Sequence, residues 1–227
     1  MLDMCFFLFV ALLSPLPDLV LYPRMRRATE AGAPGVRSRY HLLGAASLWL
    51  LAGVAVTLAM RRPLPWSDLR LGVPSLLRLA AGTALVVAYG VLALRQRRAL
   101  LAKPERLQRL MQKHASAGAL VPHTRAEVRS FTVLALSAGV CEEIVYRGFM
   151  LWFAAMWLGL WPGLLVSSLL FGLAHLYLGW KHVLRTSIAG VFFALVAVAS
   201  ASLWPAIALH AFIDILGGDL GFRSLQV

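Results

Sequence analysis

The sequence predicts an all-α membrane protein, a polytopic bundle of about seven transmembrane helices whose C-terminal helices form a polar pocket. Hydrophobic residues make up 60% of the 227 residues and charged residues only 14%, against about 25% charged residues in a typical soluble domain. Apolar runs recur between charges or Pro and Gly, and they lack the alternation with period two that is typical of strands. Because lipid offers no partner to unpaired backbone groups, helices are the expected spanning element.

Seven apolar runs are the predicted spans. They lie at about 4–21, 41–60, 72–94, 131–153, 161–178, 184–201 and 204–219. Seven spans of about 20 residues need about 140 residues, which leaves no room for a large soluble domain. The predicted organisation is therefore N-terminal helices with a basic loop at 95–129 (1–129 in all), a C-terminal helical core at 130–219, and a short tail at 220–227.

Basic residues predict the orientation of the bundle. Lys and Arg number 22 against 10 Asp and Glu, for a net charge of +12. Loops on one predicted side, together with the tail, carry 17 of these basic residues, and the loops on the other side carry four. We expect a multi-pass protein of a bacterial inner membrane. Since Lys and Arg collect in cytoplasmic loops, its C-terminus is predicted to lie in the cytoplasm and its N-terminus outside.

The long basic loop contains a predicted short amphipathic helix at 103–113. Pro104 suits a first helical turn, and Leu107, Leu110 and Met111 share one face with Lys and Arg around them. Such a helix can lie on the anionic inner leaflet, so the lipid bilayer is a predicted partner. The alternative is a solvated charged loop with no lipid role. The loop lacks aromatic or groove-reading elements, so we expect no nucleic-acid binding.

Ionisable residues inside the predicted spans lie almost entirely in the second half of the chain. They are Glu142, Glu143 and Arg147 in the fourth span, His175 in the fifth, and His210 and Asp214 in the seventh. A charge at the centre of a membrane helix costs about 2.5–3.5 kcal/mol on insertion scales. Their clustering therefore predicts one functional pocket built by the C-terminal helices.

Helix geometry separates the two adjacent glutamates. Glu143 and Arg147 are four residues apart, so their side chains share a face and can pair. Glu142 is rotated from that face by about 100°. We therefore expect Glu143 to be a structural partner of Arg147 and Glu142 to be the carboxylate that performs general acid/base chemistry.

The two predicted intramembrane histidines each have a neighbour at helical spacing. Phe171 precedes His175 by one turn, where its ring can pack against the imidazole, and Asp214 follows His210 by one turn, where its carboxylate can orient the ring. A carboxylate with two histidines can activate a water and stabilise an oxyanion. Taken singly, either histidine could equally be an interhelical hydrogen-bond donor.

Three ordered motifs carry a family resemblance over about residues 130–219. Glu142 to Arg147 matches E-E-x-x-x-R, Phe171 to His175 matches F-x-x-x-H, and His210 to Asp214 matches H-x-x-x-(N/D). The chain thus resembles the CPBP (Abi-like) intramembrane glutamic endopeptidases, which include CAAX prenyl proteases and bacteriocin-processing or self-immunity proteins. The resemblance implies hydrolysis of a peptide bond in a membrane-anchored protein or peptide substrate.

The resemblance also implies roles for individual residues. Glu142 would activate the attacking water, and His175 would assist proton transfer. His210 and Asp214 would face the developing oxyanion. The site would be organised by Glu143, Arg147 and Phe171. Eukaryotic CAAX enzymes carry Asn at the last motif position, and an ionised Asp214 cannot donate a hydrogen bond; Asp214 would then orient His210, the principal oxyanion donor.

The polar residues of the predicted pocket also allow other functions. Two histidines with carboxylates can hold zinc, but H-E-x-x-H is absent and the resemblance implies a metal-independent mechanism, so we expect no cofactor. The rival function is a non-catalytic membrane scaffold or bacteriocin self-immunity protein that binds a partner in the same pocket. A transporter with an intramembrane proton site is disfavoured, because the sequence shows no paired repeat halves with broken helices.

Overall fold

The structure, a computed structural model, describes residues 1–61, 69–72, 75–113 and 115–226. Helices dominate these residues, and no strand occurs among them. The predicted all-α fold is therefore confirmed. Residues 62–68 and 73–74, in the predicted outer loop and at the predicted start of the third span, lie outside the described residues.

Each predicted span corresponds to a helix. The helices in chain order are α1 (Leu2–Glu30), α2 (Val36–Met60), α3 (Leu76–Leu101), α4 (Pro104–Lys113), α5 (Arg125–Glu142), α6 (Leu151–Leu158), α7 (Leu160–Leu173), α8 (Trp180–Ser200) and α9 (Trp204–Ser224). A π-helical segment, Glu143–Met150, joins α5 to α6 without a break.

Several helices are longer than the apolar runs that predict them. Helix α3 continues past residue 94 to Leu101, and α9 continues past 219 to Ser224, so that most of the predicted tail is helical. An apolar run ends where lipid ends, but Arg and Leu remain good helix formers beyond that boundary. Helix α7 is the exception, because it ends at Leu173 rather than at 178.

The surface and the lengths of the helices fit an integral membrane protein. Helices α1, α2, α3, α8 and α9 are long and apolar enough to cross a membrane, and α7 is a shorter apolar helix. Only 11% of the apolar window is buried inside the protein in α1 and α3, against 50% in α9. The outer helices thus expose apolar side chains that lipid would cover, while α9 lies near the centre of the bundle.

The π-helical segment is the structural centre of the protein. It follows α5, whose start is fixed by a capping box. There the Thr124 side chain accepts a hydrogen bond from the Glu127 backbone N–H, and the Glu127 side chain accepts one from the Thr124 backbone N–H. Most side chains of the π-helical segment are buried, and Phe149 and Met150 are enclosed in the main core. π-Helical turns are rare and frequently mark functional sites.

Donors from outside support the backbone of the π-helical segment. The Ser167 hydroxyl on α7 donates to the Tyr146 carbonyl over 2.6 Å. The Arg70 guanidinium donates to the Arg147 carbonyl over 3.3 Å, and Leu69 beside it is buried in the core. These bonds fix the position of the segment relative to its neighbours.

Helix α4 confirms the predicted amphipathic helix. Leu107 is only 1% exposed, because the apolar face of α4 packs on α3 and α9. Arg106 and Arg109 are exposed on the other side. Leu110 and Met111 on the same face are only partly buried, so contact of this helix with an anionic leaflet stays a prediction.

A glycine contact sets the distance between the two helices that carry most of the polar residues. A Cβ at Gly139 on α5 would lie 2.7 Å from the Cβ and 2.8 Å from the backbone nitrogen of Ala211 on α9. No real Cβ contact is that short. Gly139 therefore permits the close approach that brings the α5 carboxylates to His210.

We predict that Gly139→Ala separates α5 from α9. The expected cost is about 1–3 kcal/mol of unfolding free energy, the range for overpacking a core, measured by thermal melting of the purified protein. Gly53→Ala is the matched control, because Gly53 lies in a helix with open space around its Cα. Equal stability of the two variants would contradict the close packing of α5 and α9.

Candidate active site

A buried ion pair forms the floor of the site. Arg147 and Glu143 are both fully enclosed, and Nη1 of Arg147 lies 2.9 Å from Oε1 of Glu143. The same Oε1 lies 2.8 Å from Nδ1 of His210 on α9. Because a carboxylate only accepts, Nδ1 must carry the proton and donate it. This bond fixes the imidazole so that Nε2 faces away from the ion pair.

Two further carboxylates flank the free nitrogen of His210. Its Nε2 lies 3.6 Å from Oε2 of Glu142 and 3.6 Å from Oδ2 of Asp214. Both distances exceed an ordinary hydrogen bond. The Glu142 side chain is 13% exposed, whereas Glu143 is enclosed, so Glu142 is the glutamate of the pair that another molecule can reach.

The carboxylate that holds the His210 ring differs from the sequence expectation. Spacing along α9 predicts that Asp214 orients the imidazole, but the hydrogen-bonded partner is Glu143. The reason is the close approach of α5 and α9 at Gly139, which brings the Glu143 carboxylate to Nδ1. Asp214 is thereby left beside Nε2, facing the same space as Glu142.

Aromatic rings enclose the Arg147 guanidinium. Its Cζ lies 4.1 Å from the centroid of the Phe171 ring and 5.2 Å from that of Phe193. A Cβ at Gly190 would lie 3.2 Å from Nη2, so glycine leaves the room that the guanidinium occupies. Cation–π contacts of this kind stabilise a desolvated cation by about 2 kcal/mol or more. Sequence reasoning missed Phe193 and Gly190, since an apolar helix offers no signal for them.

The sequence predicts that His175 lies inside the fifth span, but α7 ends at Leu173 and His175 lies just beyond it. Its Nδ1 is 2.9 Å from the Phe171 carbonyl, one of the carbonyls that a helix end leaves without an intrahelical partner. A carbonyl only accepts, so Nδ1–H donates and the ring caps the helix. In the neutral ring Nε2 then carries a lone pair and can accept a proton.

Phe171 connects the two histidines. Its ring centroid lies 5.1 Å from that of His175 and 5.8 Å from that of His210, both in edge-on contact. Asp214 lies within electrostatic range of both imidazoles. The seven residues that the sequence predicts for the site thus lie close together, while their roles stay a prediction.

The N-terminal half contributes a wall that the sequence did not predict. The Tyr40 hydroxyl on α2 donates to Oδ1 of Asp18 on α1 over 2.7 Å, and Asp18 lies within electrostatic range of His175. The Tyr22 ring packs 5.1 Å from the ring of Tyr177, which follows α7. Asp18 is an acidic residue within the apolar first helix, and this is the sequence feature that could have indicated the wall.

The histidine and carboxylate side chains of the site are of the types that bind zinc. Among the described residues, no group of three or more His, Cys, Asp or Glu is arranged so that it could hold a metal ion. The pocket carboxylates instead contact arginine and histidine, as in the pair of Glu143 with Arg147. An enzyme without a cofactor therefore stays a prediction of the sequence.

Comparison with known proteins identifies the segment that contains this site. Residues 124–216 match the family model described as type II CAAX prenyl endopeptidase Rce1-like. The match spans 93 of the 227 residues and includes all three motifs. It confirms the resemblance drawn from those motifs. No curated protein and no solved structure matches the chain significantly.

Proposed function

We propose that the chain is an intramembrane endopeptidase, because residues 124–216 match the family model described as type II CAAX prenyl endopeptidase Rce1-like. It hydrolyses a peptide bond of a membrane-anchored protein or peptide with a water that Glu142 activates. One observation carries the proposal: an accessible carboxylate, Glu142, lies beside Nε2 of His210 above the enclosed pair of Glu143 and Arg147.

Glu142 acts as the general base. Its carboxylate takes a proton from the water, and the water oxygen bonds to the scissile carbonyl carbon to give a tetrahedral oxyanion. When the C–N bond breaks, the same proton passes to the leaving amine. His175 assists these transfers, because its Nδ1 is engaged with the Phe171 carbonyl and its Nε2 is left as a proton acceptor.

His210 acts on the oxyanion. With Nδ1 donating to Glu143, Nε2 becomes a donor only when the ring is the imidazolium. The carboxylates of Glu142 and Asp214, each 3.6 Å from Nε2, are suited to stabilise that cation. The enclosed pair of Glu143 and Arg147 holds the ring in place, so the donor is oriented before the substrate arrives.

The substrate is an anchored chain that reaches the pocket from the membrane. A prenylated C-terminal motif, a bacteriocin leader and a C-terminal sorting tail all have the required anchor, and the description of the matching family favours the first. The proposed location is a bacterial inner membrane, and the distribution of basic residues supports a cytoplasmic C-terminus.

The proposal is tested by comparing membrane proteomes of cells that carry the wild-type protein or its Glu142→Ala variant. We expect one or a few membrane proteins to keep a terminal peptide in the variant strain. Glu105→Ala is the control, because Glu105 lies exposed on α4. A non-catalytic scaffold or self-immunity protein would give identical termini in all three strains, which would contradict an endopeptidase.

A further inference from the structure

The proposed oxyanion site has few donors that a substrate can reach. Ionised Glu142 and Asp214 are acceptors only. Nδ1 of His175 and Nδ1 of His210 already donate within the protein. The Arg147 guanidinium is fully enclosed, so substrate does not reach it. Among the ionisable residues that the three motifs place in the site, this leaves Nε2 of His210, whereas oxyanion sites commonly use more than one donor.

Tyr177 lies next to His175, at the edge of the candidate site. It belongs to the short turn Leu176–Leu178 between α7 and α8, and its ring stacks on that of His175 with centroids 6.2 Å apart. The Tyr22 ring supports its other side at 5.1 Å. The ring contact with His175 places Tyr177 beside the candidate site, and Glu142 and Asp214 both lie within electrostatic range of its phenol.

The Tyr177 hydroxyl is available to a ligand. Among the described residues it has no hydrogen-bond partner, and its oxygen is not among the fully buried polar atoms. The ordinary pKa of a tyrosine phenol is about 10. The phenol is therefore protonated throughout the physiological pH range and is a permanent donor.

We propose that Tyr177 is a further catalytic residue, whose hydroxyl donates a hydrogen bond to the oxyanion of the tetrahedral intermediate alongside Nε2 of His210. The inference rests on the proposed endopeptidase function. The phenol keeps its proton throughout, and the leaving amine still receives its proton from Glu142. Tyr177 thus supplies the donor that the carboxylate of Asp214 cannot supply.

The test uses the purified full-length protein in liposomes and a quenched fluorescent peptide with a farnesylated CAAX terminus. Tyr177→Phe is expected to lower kcat by about 10²–10³-fold, the effect of losing one oxyanion donor, with KM unchanged. Tyr89→Phe is the matched control, because Tyr89 lies on α3 and its ring contacts Phe192 rather than a residue of the site. We expect wild-type kcat for this control and the same melting temperature for both variants.

A second variant tests the chemical assignment. Asn at position 214 has an amide N–H₂ that can donate where Asp cannot, so Asp214→Asn added to Tyr177→Phe is expected to recover part of the lost kcat. Wild-type kcat in Tyr177→Phe, or a double variant no faster than Tyr177→Phe, would overturn the assignment. If Glu142→Gln is inactive while Tyr177→Phe is fully active, the proposed endopeptidase function stands and only the role of Tyr177 is wrong. If the wild-type protein does not cleave the peptide, the proposed function itself is wrong.

Discussion

Glu142→Gln is expected to lower kcat for peptide cleavage by about 10²–10⁴-fold, the usual contribution of a general base. Gln matches the size of Glu and keeps its hydrogen-bonding shape, but its amide cannot take a proton from water. Since the Glu142 side chain is partly exposed and forms no part of the enclosed ion pair, the protein should still fold. The measurement is steady-state cleavage of the farnesylated peptide by protein in liposomes.

Glu105→Gln is the control for Glu142→Gln. Glu105 lies on the exposed side of α4, where its contact with Arg109 is 3.8 Å long. The variant removes the same charge from the protein without touching the pocket, so we expect wild-type kcat. Equal activity of Glu142→Gln and Glu105→Gln would show that Glu142 is not the base.

Arg147→Ala is expected to have the largest effect on stability. Removing one partner of a buried ion pair costs about 3–5 kcal/mol, because the other charge is left without compensation. Here the remaining charge is Glu143, whose side chain is fully enclosed. The Phe171 and Phe193 rings also lose the cation between them. Denaturant or thermal unfolding of the purified protein measures the loss.

An exposed pair provides the comparison for Arg147→Ala. Arg26 contacts Glu30 over 2.8 Å with the same four-residue spacing, but both side chains are mostly exposed. Arg26→Ala should therefore cost at most about 1 kcal/mol. Replacing both charges, as Glu143→Gln with Arg147→Met, should recover stability relative to Arg147→Ala. An Arg147→Ala protein as stable as Arg26→Ala would contradict the enclosed pair.

The helices and the polar residues of the site could be predicted because the lipid environment restricts both the backbone and the charged side chains of a spanning segment. A long apolar run must be a helix, and a charge within such a run is expensive enough to be rare. The pairing of Glu143 with Arg147 follows from helical spacing alone and is present in the structure. These features depend on a single helix and need no knowledge of how helices pack.

Features that depend on contacts between helices were not predictable in the same way. Spacing within α9 points to Asp214 as the partner of His210, but the close approach of α5 at Gly139 places Glu143 there instead. The cage of Phe193 and Gly190 around Arg147 consists of residues that are ordinary in any apolar helix. Helix periodicity contains no information about which faces meet.

The N-terminal wall and α4 show a similar gap. Asp18 and Tyr40 belong to helices that the motifs do not reach, yet both lie close to His175 or its neighbours. The amphipathic pattern of α4 predicts the helix correctly, but periodicity does not distinguish an apolar face covered by lipid from one covered by protein. Leu107 is covered by the bundle.

A double variant tests most directly the central claim that Glu142 and His175 act on one water in one site. Cleavage of the farnesylated peptide is measured for Glu142→Gln, His175→Ala and the two combined. Residues that act as a unit are strongly non-additive, so we predict that kcat of the double variant equals that of the slower single variant. A double variant whose loss is the product of the two single losses would contradict a shared site.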